Sequence, residues 1–174
     1  MSALDRQPPY YLGIDLGGTN IKSGVVDDVG EPLSSVSLET EADRGPEVGI
    51  AHLAEAGRRA VSASGLSWDR ITGVGLGSPG TMDLSRGMLL EPPNLPGWNH
   101  LPIRDLLAKK LDKQTVLQND ANAAAVWGHF ALFGTSKGTT SISCVVGTGH
   151  GGGIIMDGSV IKGRKGFGLS LIHI

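Results

Sequence analysis

The stretch DLGGTNIK, residues 15–22, decides how the chain begins to fold. It joins two short runs of β-prone residues, Tyr10 to Leu16 and Ile21 to Val26, through a turn that contains two glycines. A third run, Pro32 to Leu38, alternates well enough to be another strand. The sequence therefore predicts that the chain opens with an antiparallel meander.

The side chains of the same stretch suit a polyphosphate accompanied by magnesium. Amides of Gly17 and Gly18 can approach phosphate oxygens closely, and the Thr19 hydroxyl can donate to one of them. Lys22 can offset negative charge, and Asp15 can hold Mg²⁺ directly or through water. An ordinary hairpin with solvated charges explains these eight residues equally well, so both interpretations stay open here.

A second glycine-rich loop, Gly147 to Gly153, follows a strand-like run, Ser141 to Val146. The loop leads into Gly153 to Asp157, which is predicted to pair with Val160 to Lys162. The loop contains GxGxxG, as does Gly75 to Gly80, but neither match precedes a helix, and the dinucleotide-binding interpretation is therefore excluded. Two glycine loops that each open a meander indicate an internal repeat with a nucleotide between two similar lobes.

Helices and buried strands alternate between the two loops. Helical spacing predicts helices, and short apolar runs predict strands, in this order: helix Pro46 to Ala63, strand Ile71 to Leu76, helix Ile103 to Leu111, strand Thr115 to Gln118 and helix Ala121 to Phe133. Trp98 is predicted to pack as the anchor of a long loop, and Trp127 is predicted to lie in the core. This order is typical of an α/β protein.

The composition of the chain indicates which partners and which cellular compartment to expect. The 174 residues carry a formal net charge of -2, which gives no field that would gather nucleic acid or an anionic membrane surface. Cys144 is the only cysteine, so we expect a reducing compartment and a cytoplasmic protein. Residues 1–9 lack the apolar core of a signal peptide, and no apolar run is long enough to span a membrane.

Five motifs in order make the sequence resemble a known family. They are DLGGTNIK (15–22), GSPGTMD (77–83), NLPGWNH (94–100), QNDANAAAVWG (118–128) and VGTGHGGGIIMDG (146–158). The chain resembles the ROK family of bacterial sugar kinases and repressors, particularly its glucokinase-like members, within the actin, sugar kinase and Hsp70 superfamily. The resemblance implies an actin-like ATPase fold of the ribonuclease H-like kind. Residues 1–134 would form the first lobe with the sugar-binding loops, and residues 135–174 would begin a truncated nucleotide-binding second lobe.

The resemblance also implies roles for individual residues. The ATP phosphates would lie between the first loop, Asp15 to Lys22, and Gly147, Thr148, Gly149, Gly151 and Gly152 of the second. The sugar would contact Gly80, Asn94, Asn119 and Asp120, and Asp120 would be the catalytic base. Asp120 directly precedes the predicted third helix, so we expect it to cap that helix and to be a weak base.

The sequence departs from the family at its end. Family members follow the second hairpin with Gly-Glu-x-Gly-His and a cysteine cluster that hold a structural Zn²⁺, whereas Gly163 to Gly168 contains neither the glutamate nor the histidine. We therefore expect these 174 residues to be inactive alone and the zinc ligands to occur only in a longer parent, which the resemblance implies is a homodimer.

Several functions remain open. The first is ATP-dependent phosphorylation of glucose, and mannose, fructose and N-acetylmannosamine are alternative substrates. Polyphosphate is an alternative donor. A sugar-sensing repressor domain is the main rival, but only about ten residues precede the first strand, which leaves no room for a helix-turn-helix.

Overall fold

The first strand, β1 (Tyr10–Leu16), buries every second side chain, as a strand with one face on the core must. The chain is seen in a computed structural model that describes residues 8–92, 94–134, 138–146 and 150–161. The elements after β1 are β2 (Asn20–Val26), β3 (Val36–Glu39), α1 (Pro46–Ser64), β4 (Ile71–Ser78), β5 (Met82–Asp83), β6 (Met88–Leu89), α2 (Ile103–Leu111), β7 (Thr115–Asn119), α3 (Asp120–Phe133), β8 (Thr140–Val146), β9 (His150–Met156) and β10 (Ser159–Val160).

A five-stranded sheet with the order β3-β2-β1-β4-β7 forms the centre of the molecule. The strands β1, β2 and β3 are antiparallel neighbours, which confirms the predicted opening meander. The strands β4 and β7 then run parallel to β1, each after a helix. The carboxyl ends of three parallel strands therefore meet at one edge of the sheet.

The third strand is shorter than the sequence predicted. Pro32 makes only an isolated bridge with Val26, and the Leu33 amide donates 2.7 Å to the Val25 carbonyl. Regular pairing starts only at Val36. Proline has no amide to donate to a sheet, which explains why the strand does not begin there.

Helix α1 packs against the sheet with unusually small clearance. A Cβ at Gly57 would lie 2.9 Å from a methyl carbon of Leu12 in β1, so the absence of a side chain brings helix and strand together. Helix α2 packs beside α1 through buried Ile103, Leu107 and Leu111, which recur every fourth residue. These helices and the sheet enclose the main core.

A second, three-stranded sheet has the order β10-β9-β8. It is antiparallel, so the predicted restart of a strand meander is confirmed. Helix α3 packs on β9 and β8 and lies between the two sheets in the chain order.

The prediction that Trp127 lies in the core is wrong. Its side chain is 51% exposed, and one edge of the indole covers Gly30 in the turn after β2. Helix α3 is apolar on nearly all sides, so helical spacing could not show which side faces protein. Within the described residues, no helix combines the length and hydropathy needed to cross a membrane.

Candidate active site at the ends of the parallel strands

Two carboxylates meet at the edge where the parallel strands end. Asp15 lies near the end of β1 and is paired in register with Gly77 of β4, while Asp120 follows directly after β7. A Cβ at Gly77 would lie 3.6 Å from Oδ1 of Asp15 and 3.9 Å from Cα of Asp120. Gly77 thus leaves open the space between the two acids, and in parallel sheets this edge is where ligands bind.

Both carboxylates hold their protons more tightly than an ordinary aspartate. Partial loss of hydration raises the pKa of Asp120, although the hydrogen bond from the Ala121 amide, 2.8 Å long, opposes the shift. Partial loss of hydration also raises the pKa of Asp15, with a further increase from the negative charge of Asp120 and an opposing effect of Lys22. We expected the helix terminus to make Asp120 a weaker base than usual, but its pKa is raised, because desolvation outweighs the hydrogen bonds at the start of the helix.

The cap of helix α3 also differs from the prediction. Asn119, rather than Asp120, is the cap residue, and its Oδ1 accepts a hydrogen bond of 3.1 Å from the Asn122 amide. Asp120 is the first residue of the helix. Asp120 is therefore not the cap residue, although its Oδ1 accepts a hydrogen bond from the Ala121 amide in the first turn of the helix.

The first glycine turn is tightly closed. The Gly17 amide donates 3.0 Å to the Asn20 carbonyl, and a Cβ at Gly17 would lie 2.6 Å from that same oxygen. Across the turn, Asp15 is paired with Lys22, whose side chain is exposed. The predicted first loop thus places Gly17, Gly18, Thr19 and both charged residues within one hairpin.

The predicted sugar residue Asn94 lies against this turn. A Cβ at Gly18 would be 3.0 Å from Cβ of Asn94, and Asn94 itself has a positive φ of 62°. A cavity of about 520 Å³ opens here. Its lining consists of Gly18, Thr19, Glu39, Glu41, Ala42, Asp43, Asn94 and Pro96.

Two buried residues that follow Asn94, at either end of the loop tip Pro96-Gly97, hold its loop in place. Leu95 is 2% exposed and Trp98 is fully buried, with its indole against Gly49 of α1. The prediction that Trp98 packs as a loop anchor is confirmed.

Gly80 lies two residues after β4 and has a positive φ of 85°. The next residue, Thr81, accepts hydrogen bonds from the Leu90 amide (2.8 Å) and the Glu91 amide (2.9 Å). The chain that leads to Asn94 is therefore tied to the Gly80 turn. Gly80 follows β4, Asn119 ends β7 and Asp120 begins α3, while Asn94 lies against the glycine turn after β1.

The second glycine loop is only partly described. Gly147, Thr148 and Gly149 lie outside the described residues. Gly151 belongs to β9, and a Cβ there would lie 2.8 Å from Cβ of Ala121, the neighbour of Asp120. Gly152, also in β9, is paired with Cys144. The described part of this hairpin thus reaches the first turn of α3, which brings it to the same end of the helix as Asp120.

The donor set fits a hard cation better than zinc. Asp15 and Asp120 supply carboxylate oxygens of the kind Mg²⁺ prefers, and their mutual repulsion would be relieved by a divalent ion. Within the described ranges, no group of three or more His, Cys, Asp or Glu side chains is arranged to hold a metal.

Two residues of the site were missed from sequence. Gly77 belongs to GSPGTMD, but only the parallel pairing of β4 with β1 shows that it separates the two aspartates. Thr40 is fully buried behind the glycine turn and donates 2.7 Å to the Gly17 carbonyl. A lone threonine among charged residues gives no periodic signal by which it could have been found.

Comparison with known proteins shows which family this chain is similar to. The sequence profile of the ROK family matches residues 11–174. A glucokinase of Thermotoga maritima is 35% identical over 94% of this chain and 50% of its own length. The crystal structure of a ROK hexokinase from Thermus thermophilus has a TM-score of 0.82 and 38% identity, covering 95% of this chain and 53% of that one. A ROK family glucokinase from Streptomyces griseus, solved with glucose and AMPPNP, has a TM-score of 0.80 and 34% identity, covering 95% and 50%.

A xylose repressor of Caldicellulosiruptor bescii is also similar, at 30% identity over 93% of this chain and 40% of the repressor. The chain spans about half the length of the curated relatives it matches. Its α/β fold is the actin-like ATPase fold of the ROK kinase structures. From the profile match and the shared fold together, we conclude that this chain is a member of the ROK family.

Proposed function

We propose that this chain supplies the sugar-binding and first phosphate-binding parts of an ATP-dependent hexose kinase that converts glucose to glucose 6-phosphate. Residues 1–134 form its first lobe, and residues 135–174 begin the nucleotide-binding second lobe. The observation that carries the proposal is the pair Asp15 and Asp120 at the strand ends, separated by Gly77 and adjoining a glycine turn.

The roles of the sugar residues follow from their positions. Asn94 and Gly80 lie on segments tied together beside the glycine turn, where they contact hexose hydroxyls. Oδ1 of Asn119 caps α3, and the same side chain hydrogen bonds to the Asp120 carboxylate, which keeps Asn119 beside the acid that faces the reacting sugar hydroxyl. A sugar of the wrong epimer would leave some of these hydrogen-bonding groups unpaired, and it would therefore bind more weakly.

Asp120 accepts the proton of the reacting hydroxyl. The sugar oxygen attacks the terminal phosphorus of ATP, the bond from that phosphorus to the oxygen it shares with ADP breaks, and the proton passes to the Asp120 carboxylate. A pKa above that of an ordinary aspartate makes this carboxylate a better proton acceptor once it is ionised.

The ATP phosphates bind between the two glycine-rich hairpins. Amides and the hydroxyl of residues 17–19 contact phosphate oxygens, and Lys22 offsets charge from the neighbouring strand. Gly147, Thr148, Gly149, Gly151 and Gly152 serve the same ligand from the second hairpin. Mg²⁺, held by Asp15 directly or through water, would neutralise phosphate charge.

The test is Asp120→Asn in the natural gene product that contains these residues, because the chain spans about half the length of its relatives. We expect turnover to fall by about 10² to 10⁴-fold because an amide cannot accept the proton. The melting temperature should not fall, since Asn119 caps the helix and an amide oxygen at position 120 can still accept from the Ala121 amide. The control is Asp83→Asn, which makes the same change in β5, away from the edge where the parallel strands end.

Near-normal turnover of Asp120→Asn would refute the catalytic role. Donor and sugar panels decide the finer claims: ATP against polyphosphate, and glucose against mannose, fructose and N-acetylmannosamine. We expect no turnover from the 174 residues alone.

A repressor-type sugar sensor is the second candidate, and the similarity to the xylose repressor favours it. A sensor binds hexose without transferring phosphate. Hexose binding by wild type with no phosphorylation from either donor would therefore support the sensor over the kinase.

A further inference from the structure

Thr40 contacts the first glycine turn from the side of the protein core. It is fully buried, one residue beyond β3. Its hydroxyl donates 2.7 Å to the Gly17 carbonyl, and its amide donates 2.9 Å to the Thr19 carbonyl. One residue therefore holds both ends of the three-residue turn.

These bonds determine which groups of the turn remain for a ligand. The Gly17 amide is already used by the Asn20 carbonyl. No acceptor within the described part of the chain pairs with the amides of Gly18 and Thr19. The Gly17 carbonyl shares its peptide plane with the Gly18 amide, so the Thr40 hydroxyl fixes the direction of that amide. The bond to the Thr19 carbonyl fixes the peptide plane between Thr19 and Asn20, and the Thr19 amide lies in the plane between these two.

The same segment is linked to the loop that carries Asn94. Two residues after Thr40, the Ala42 carbonyl faces the indole Nε1 of Trp98 at 3.4 Å. Trp98 anchors the loop of Asn94, and Asn94 contacts Gly18. Residues 40–42 thus connect the glycine turn with the neighbouring loop through buried groups.

We propose that Thr40 is a positioning residue, which orients the Gly18 amide toward the phosphates of the nucleotide through its bond to the Gly17 carbonyl and holds the other end of the turn through its bond to the Thr19 carbonyl. This role rests on the proposed kinase function. Thr40 touches neither substrate, so its effect must appear in the productive placement of ATP rather than in hexose binding.

The test compares Thr40→Val with Thr40→Ser in the full gene product. Valine preserves the shape but removes the hydroxyl, whereas serine retains it. We expect kcat/KM for ATP to fall by about 10-fold to 100-fold in Thr40→Val, as expected when reacting groups are misplaced by about 1 Å. Thr40→Ser should recover most of this loss. In Thr40→Val, the Kd for hexose without nucleotide should stay within about 2-fold of wild type, because Trp98 still anchors the loop of Asn94 against Gly49.

The matched control is Thr115→Val. Thr115 is also buried, and its hydroxyl donates 3.1 Å to a main-chain carbonyl, that of Lys113, but it begins β7 at the opposite edge of the sheet. Equal losses of kcat/KM in the two valine variants, or equal weakening of ATP and hexose binding in Thr40→Val, would reduce Thr40 to an ordinary core residue and overturn the proposal.

Hydrogen exchange distinguishes failure of the positioning role of Thr40 from failure of the proposed kinase function. We expect the Gly17 amide to lose protection in Thr40→Val and to keep it in Thr115→Val. If wild type transfers no phosphate, the kinase function fails, and Thr40 has no nucleotide to position. If wild type is active and Gly17 protection is unchanged in Thr40→Val, only the positioning role fails.

Discussion

The two glycine-rich hairpins use glycine for different physical reasons. In β1–β2, a Cβ at Gly17 would collide with a backbone oxygen of its own turn, that of Asn20. In β8–β9, a Cβ at Gly151 would collide with a side chain of another element, Ala121 of α3. Glycine closes a turn in the first hairpin, whereas in the described part of the second it lets a helix approach a strand.

Among substitutions in the two hairpins, Gly17→Ala should have the largest effect. The added Cβ would lie 2.6 Å from Asn20 O, and backbone cannot move aside without opening the turn. We expect kcat/KM for ATP to fall by about 10-fold to 100-fold through misplaced amides. We also expect a loss of about 1–3 kcal/mol in the free energy of unfolding, measured by denaturant titration.

The control for this variant is Gly75→Ala in β4, where a Cβ would meet no atom within 4 Å. Equal effects of the two variants would mean that the turn geometry of Gly17 has no special importance.

A smaller effect, confined to stability and open to rescue by a second substitution, is expected for Gly151→Ala. The substitution Gly151→Ala should destabilise the chain by about 1–3 kcal/mol, because its Cβ would lie 2.8 Å from that of Ala121. Ala121→Gly removes the obstacle at a cost of about 0.5–1 kcal/mol in helix stability. The double variant should therefore be more stable than Gly151→Ala alone, as a double-mutant cycle of unfolding free energies would show. Strict additivity would contradict the proposed difference between the hairpins, since no side chain can be trimmed to rescue Gly17→Ala.

The smallest effect is expected in the pH dependence of the melting temperature, and it concerns Asp120. The pKa of Asp120 is raised by partial loss of hydration, so the ionised form penalises the folded state. Asp120→Asn should thus melt above wild type near neutral pH, and the difference should shrink as pH falls through the raised pKa and below about 3.9.

Asp83 gives a control of opposite sign for the pH test. A hydrogen bond from the Ser85 hydroxyl, together with the Arg86 amide, lowers the pKa of Asp83. Its ionised form therefore stabilises the fold, and Asp83→Asn should melt at or below wild type near neutral pH, with the difference lost as pH falls through that lowered pKa. Melting curves between about pH 7 and pH 3 measure both. A shift of the same sign for both variants would contradict the assignment of the Asp120 shift to dehydration.

Sequence patterns predicted those features that depend on nearby residues. Helix α2 has the predicted bounds, Ile103 to Leu111, because its buried residues recur at helical spacing. The opening meander and the second hairpin follow from strand runs on either side of glycine. By contrast, α3 is apolar on nearly all sides, so no periodic pattern identified Trp127 as exposed.

The site residues divide in the same way. Asp15 and Asp120 stand out in their motifs, but their proximity depends on the pairing of β4 with β1 and β7, which is not local in sequence. The raised pKa of Asp120 depends on how much water the surrounding chain excludes, and Thr40 acts through contacts 21 to 23 residues away. Neither the pKa of Asp120 nor the contacts of Thr40 can be read from residues that are neighbours in sequence.

The placement of Trp98 has a consequence for how this protein can change over evolutionary time. The indole is clamped against Gly49 and Leu95 is buried, while Asn94, Pro96 and Gly97 between and beside them are exposed. Substitutions at the tip therefore leave the buried anchors intact. Under the proposed function, a change at Pro96 can alter sugar preference at little cost to folding, because Pro96 is distinct from the buried anchors. Asn94 and Gly97 are less free to vary, since their positive φ values of 62° and 81° restrict the side chains they can carry.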